Sequence, residues 1–188
     1  MSQFPPIILA SKSPRRQELL KLMGIDFKVI LKEVDESFPE GLSPANVALY
    51  ISEKKAHAFD GDLTNEIVIT ADTIVVIDNA ILGKPENEQH AFEILSQLSG
   101  KKHEVITAVS LLTKNGIQSF YDVSEVHFKT LTSEQINYYI STGQPMDKAG
   151  AYGIQEWIGL IGIQKIVGSY TNVVGLPTEK LYSELEKL

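Results

Sequence analysis

The segment IILASKSPRRQELLKLMG, residues 7–24, commits the chain to a strand that turns directly into a helix. Ile7-Ile8-Leu9-Ala10 reads as a short buried strand. Ser13 suits a helix N-cap and Pro14 the first helical position, where a missing N–H costs nothing, while Leu19, Leu20, Leu22 and Met23 supply an apolar face. Gly24 stops the helix, because glycine enters the left-handed conformation without strain. The unit therefore puts Arg15 and Arg16 in the first turn, with Lys12 just before them, where the helix dipole is already positive. Each cation there costs a few tenths of a kcal/mol up to about 1. Something negative has to offset them.

Strand and helix signals go on alternating. Phe27-Lys28-Val29-Ile30 reads as a second strand, and Ser43-Pro44 opens a helix carrying Val47, Leu49, Tyr50 and Ile51 through to Ala58. Ile67–Thr70 and Ile74–Ile77 are strand-like on either side of Ala71-Asp72-Thr73, and a helix over 86–98 is closed by Gly100. An alternating stretch from His103 contains Lys114-Asn115-Gly116, a hairpin signal. Thr132 with Gln135 forms a capping box for a helix ending near Gly143. The loop QPMDKAGAYG then leads to more strand within residues 159–174 and a last helix from Thr178. Strands interleaved with helices, plus one long hairpin, predict a mixed α/β domain.

At 188 residues the chain is one domain, or one domain with two lobes, over 1–188. Its formal charge of -7 argues against binding a nucleic-acid polymer, which wants a broad basic surface. Against that background the cluster Lys12, Arg15 and Arg16 points to a small anion. No cysteine is present, so disulfides, thiolate nucleophiles and cysteine-bound zinc are excluded, and His57, His90, His103 and His127 have no metal-binding spacing. No apolar run approaches the ~20 residues of a membrane span. Met1-Ser2-Gln3-Phe4 lacks the character of a signal peptide. These features predict a cytoplasmic protein away from membranes.

Several residues stand out chemically, each with two readings. Ser11, Ser13, Arg15 and Arg16 around a helix N-terminus form a phosphate pocket, or else an exposed first turn whose arginines pair with Glu18 or another acid. Asp72 interrupts a largely β-branched run, at a strand end or on a bulge. It carries a metal or catalytic task, or caps a turn. Asp35, Glu36, Lys54 and Lys84 suit solvated surface, although Gly83 and Pro85 restrict the backbone at Lys84. The glycines in Asp147–Gln155 allow close approach to a ligand, or simply a tight loop. His103, before a strand, reads as a structural histidine.

The ordered set ASKSPRRQELL, EVDE, SEKKA, ADT, GKP, HEVITAV, DKAGAYGIQ and GSYTNVVGLP resembles the Maf family of nucleotide pyrophosphatases, from about Ile8 to Leu176. The resemblance implies an α/β fold with a mixed central sheet, flanking helices and two lobes around a cleft, similar to inosine triphosphate pyrophosphatases. It implies a hydrolase dependent on a divalent metal, Mg or Mn, that splits a nucleoside triphosphate between its α and β phosphates. By the same resemblance Asp72 accepts the proton of water, and Glu36 with Asp72 serves the metal. Arg15, Arg16, Lys54 and Lys84 bind phosphate, with Ser11 in the same loop. A homodimer is also implied.

Base preference within that family is assigned by resemblance to Arg15, Thr73 and Gln155, and this trio looks like the branch acting on dTTP and UTP. Gln155 offers a donor and an acceptor side by side, matching the imide of uracil or thymine. Two other readings stand beside it. One is a pyrophosphatase for 7-methyl-GTP, inosine triphosphate or another purine; the other is a nucleotide-binding regulator of septum formation without turnover. Lys12 departs from the pattern, in which small residues are common there.

Overall fold

The computed structural model describes residues 4–188. Strand β1 (Ile7–Leu9) runs parallel to β2 (Phe27–Val29) on one side and to β3 (Ile67–Ile77) on the other. Helix α1 (Pro14–Leu22) makes the first crossover and α2 (Pro44–His57) the second. Beyond β3 the sheet continues through β5 (Lys102–Thr113), β6 (Gly116–Phe128) and β7 (Ile163–Val167), with β7 antiparallel to β6. The short β4 (Ala80–Leu82) folds back antiparallel on the end of β3. The sheet is mixed and helices flank it, as the alternation of signals predicts.

Two departures matter. The residues around Asp72 do not separate two strands: β3 is one unbroken strand of eleven residues, and Asp72 lies in its interior. Nor is residue range 159–174 mainly strand. It holds α5 (Trp157–Gly162), then β7, then α6 (Tyr170–Val174). In the first of these helices a Cβ on Gly159 would lie 2.1 Å from the Ile154 carbonyl oxygen, so only glycine fits there.

The chain forms two compact units, and β3, β5 and β6 each give residues to both. One comprises the chain up to Asp72 with Thr107–Asp122 and Gly175–Leu188. Its core includes Ala56, Phe59, Val68 and Leu112, with Ile8, Ala10 and Leu63 packed against them. Ser13 caps α1 by accepting from the Arg16 N–H. Helix α2 turns Val47, Ala48, Ile51, Ser52 and Ala56 inward. The last helix, α7 (Thr178–Leu185), buries Leu181 and Leu185.

The other unit comprises Thr73–Ile106 and Val123–Val174. Here α3 (Glu88–Leu98) starts two residues later than its sequence suggests, because Asn87 is the cap and accepts from the His90 N–H at 2.9 Å. It packs on α4 (Ser133–Thr142), which carries the expected Thr132–Gln135 capping box and buries Tyr139 completely. Among the described residues no helix is long and apolar enough to cross a membrane.

Candidate active site

Asp72 is the only charged residue of β3, and its side chain is 13% exposed. Burying a carboxylate requires a partner. The partner is Lys55, whose Nζ lies 2.8 Å from Asp72 Oδ1 and 3.0 Å from Glu36 Oε1. One ammonium thus gathers two carboxylates. Their alignment follows from secondary-structure periodicity. Thr70 and Asp72, two apart, share a face of β3; Ser52 and Lys55, three apart, share a face of α2. Thr70 Oγ1 donates to the Ser52 carbonyl at 2.7 Å, forming one rung beside the Lys55–Asp72 rung.

Arg16 of the first turn is held by the fold itself. Its Nε donates to the Gly175 carbonyl and its Nη1 to the Ala71 carbonyl, both at 2.8 Å, with Ser11 Oγ 3.3 Å from Nη1. Ser11 Oγ also accepts from the Ser13 N–H at 3.2 Å. Burial lowers the Arg16 pKa, Asp72 opposes that shift, Arg15 adds to it and Glu36 opposes it. Arg16 and Ser11 are therefore wired into the fold, and Arg16 grips the strand immediately before Asp72. Arg15 is half-buried beside it, and Lys12 is exposed.

Lys54 is placed apart from Asp72. It meets Asp35 Oδ2 at 3.3 Å and the Ser37 carbonyl at 3.1 Å, and lies over the Tyr50 ring. Hydrogen bonds from Ser37, then from Lys54, hold the Asp35 carboxyl at about 2. The lysine that reaches the acidic pair is its neighbour, Lys55, which sequence reading passed over. Both lysines stand at helical spacings from buried residues of α2, Lys54 from Val47 and Ile51 and Lys55 from Ala48 and Ser52, so periodicity in the sequence does not separate them.

Among the described residues no group of three or more His, Cys, Asp and Glu side chains could by itself hold a metal ion. Glu36 and Asp72 nonetheless fit a divalent cation, since both already converge on one positive centre with hard oxygen donors. Mg²⁺ is commonly held by one or two carboxylates, with substrate phosphates and water completing the shell.

The second unit carries Thr73, Lys84 and Gln155. Thr73 is half-buried and, following Asp72 along the strand, projects from the opposite face. Lys84 is exposed between Gly83 and Pro85. The Gly150 N–H donates to the Gly83 carbonyl at 3.1 Å, so the GKP and GAYG loops are joined directly. Gly150 has φ +69, and a Cβ there would sit 2.8 Å from a Val75 methyl; the junction requires glycine. Gln155 is exposed at a turn. Nearby in sequence, Tyr152 places its hydroxyl 2.7 Å from His103 Nε2. Burial, with His127 adding, holds the His103 imidazole at about 4.

A sequence model of the family described as Maf-like protein matches residues 6–188. The chain belongs to the Maf family. A protein of Flavobacterium psychrophilum named dTTP/UTP pyrophosphatase is 54% identical, over 94% of this chain and 91% of its own. A Bacteroides thetaiotaomicron protein of the same name is 52% identical, over 97% of this chain and 95% of its own. Among solved structures, the Staphylococcus aureus Ham1 protein aligns with a TM-score of 0.50 at 17% identity, covering 95% of this chain and 99% of that one. That likeness concerns the fold. Within this Maf-family chain, the strand-borne aspartate and its lysine form the most shielded acid–base pair of the first unit's candidate residues.

Proposed function

We propose that this protein is a nucleoside triphosphate pyrophosphatase that hydrolyses dTTP and UTP to the monophosphate and pyrophosphate, keeping cytoplasmic nucleotide pools clear of excess or modified species. The observation that carries the reading is identity at about half of all positions, along nearly the whole chain, to proteins named for that reaction.

The chemistry suits the residues. Cleaving a phosphoanhydride needs alignment of water with the leaving group and neutralisation of charge more than covalent catalysis. Asp72 accepts the proton of the attacking water, and pyrophosphate departs from the nucleoside monophosphate. Lys55 offsets the carboxylate charge at rest and supplies an ammonium to phosphate oxygens; Arg15 and Lys84 supply further positive charge. Arg16 holds the backbone at Ala71 and so fixes where Asp72 stands. A divalent cation held by Glu36 and Asp72 would neutralise the triphosphate and polarise its oxygens. Gln155 pairs with the pyrimidine imide through its adjacent donor and acceptor, with Arg15 and Thr73 as the other contributors to base choice.

The test is pyrophosphate release with Mn²⁺ across dTTP, UTP, GTP, inosine triphosphate and 7-methyl-GTP. The reading expects the highest kcat/KM on dTTP and UTP. Preference for a purine triphosphate, or binding without any release, would overturn it.

A further inference from the structure

The loop of residues 147–156 ends in a tight turn, closed where the Glu156 N–H donates to the Gly153 carbonyl at 3.0 Å. Ile154 and Gln155 are its two central residues. Ile154 is buried, so Gln155 alone is displayed at the tip. Behind the turn lies Tyr139 of α4. Its hydroxyl accepts from the Gly153 N–H at 3.1 Å and donates to the Glu156 carboxylate. A single buried hydroxyl thus ties both ends of the turn that presents Gln155.

The brace extends further inward. The other oxygen of Glu156 lies 2.8 Å from Lys148 Nζ, and the Lys148 side chain is only 5% exposed. Lys148 also meets Asp147 Oδ1 at 2.7 Å and the Gln144 carbonyl. The carboxyl of Glu156 packs so closely on Gly153 that a Cβ there would lie 2.8 Å from its carbon. Burial, with Glu156 adding, raises the Tyr139 pKa, so the hydroxyl keeps the proton it donates. A surface turn can satisfy its backbone with water. Burying a lysine and a tyrosine hydroxyl beneath one is costly, and such a network rigidifies what it holds when all its members are satisfied.

We propose that Tyr139, Glu156 and Lys148 are positioning residues for base selection, fixing the Gln155 turn before the nucleotide arrives. The proposal rests on the reading that Gln155 recognises the base. A hydrogen-bonding group discriminates between ligands to the extent that its geometry is set in advance, because ordering it on binding would consume the energy that distinguishes them. The Tyr139 hydroxyl is therefore a determinant of specificity that acts through Gln155.

A double-mutant cycle tests this in the full chain, with kcat and KM measured on UTP and GTP for the wild type, Tyr139→Phe, Gln155→Ala and the pair. Tyr139→Phe keeps the ring and removes only the hydroxyl. It is expected to lower the UTP:GTP ratio of kcat/KM by about tenfold or more, mainly through KM on UTP. In the Gln155→Ala background the same change should alter the ratio less than about twofold, the signature of two residues acting as one. A ratio that shifts in Gln155→Ala but not in Tyr139→Phe overturns the proposal and leaves the Gln155 reading standing. A ratio unchanged in Gln155→Ala overturns both. Circular dichroism checks that each variant folds; if Tyr139→Phe does not, Glu156→Ala breaks the same brace from the turn's side and takes its place in the cycle.

Discussion

Lys55 Nζ stands 2.8 Å from Asp72 Oδ1, and the two side chains are only 18% and 13% exposed. Its neighbour Lys54 faces Asp35 and the Ser37 carbonyl instead. The two lysines are adjacent in sequence but are expected to differ sharply in function. Lys55→Met should lower kcat/KM on UTP about 10- to 100-fold, the range for losing a charge-assisted hydrogen bond. Lys54→Met should stay within about threefold, because exposed ion pairs contribute little. Steady-state kinetics on the two variants decide it, and equal losses would contradict the placement.

Arg16 and Arg15 should separate in a similar way, by stability. Arg16 holds the Gly175 and Ala71 carbonyls, and lysine lacks the planar fork that makes both bonds at once. Arg16→Lys should cost about 2 kcal/mol in urea unfolding and reduce activity through the displaced Asp72 strand. Arg15→Ala should lower activity on UTP while leaving the unfolding midpoint close to that of the wild type. A destabilised Arg15→Ala with a fully stable Arg16→Lys would reverse the assignment.

His103 gives the fold a pH dependence. Its pKa falls from an ordinary 6.5 to about 4, through burial first and His127 second. The unfolded chain therefore binds the proton more readily. Its contribution to stability is fully present above pH 6.5 and is lost as the pH falls towards 4. Between pH 7 and pH 5 the loss is about 2 kcal/mol. Urea titrations should show that slope in the wild type and a shallower one in His103→Gln. Parallel slopes would contradict it.

Much of this arrangement is legible in the sequence. Caps announce two helices, Ser13-Pro14 and Thr132 with Gln135, and the turn before Gly116 announces the β5–β6 hairpin. Asp72 stands out because a charge in an apolar strand needs a reason. What local pattern could not supply is long-range pairing. Nothing around Arg16 in the sequence announces the Gly175 and Ala71 carbonyls that the fold brings to it. Lys54 and Lys55 are indistinguishable by composition, and only the phase of α2 against β3 selects between them. Residues 159–174 hold strand-forming Ile and Val, but a short helix precedes β7, with Gly159 packed too tightly against Ile154 for any larger residue.

Asp72 is proposed as the group that takes the proton from water. Asp72→Asn keeps the size and shape of the side chain while removing its charge and basicity. Pyrophosphate release from UTP, measured beside UTP binding, decides whether Asp72 takes that proton. The expected result is a ~10²-fold or greater fall in kcat, the lower scale of general base catalysis, in a folded variant that binds UTP as well as the wild type does or better. Near-normal turnover by Asp72→Asn would contradict it and shift the role to Glu36.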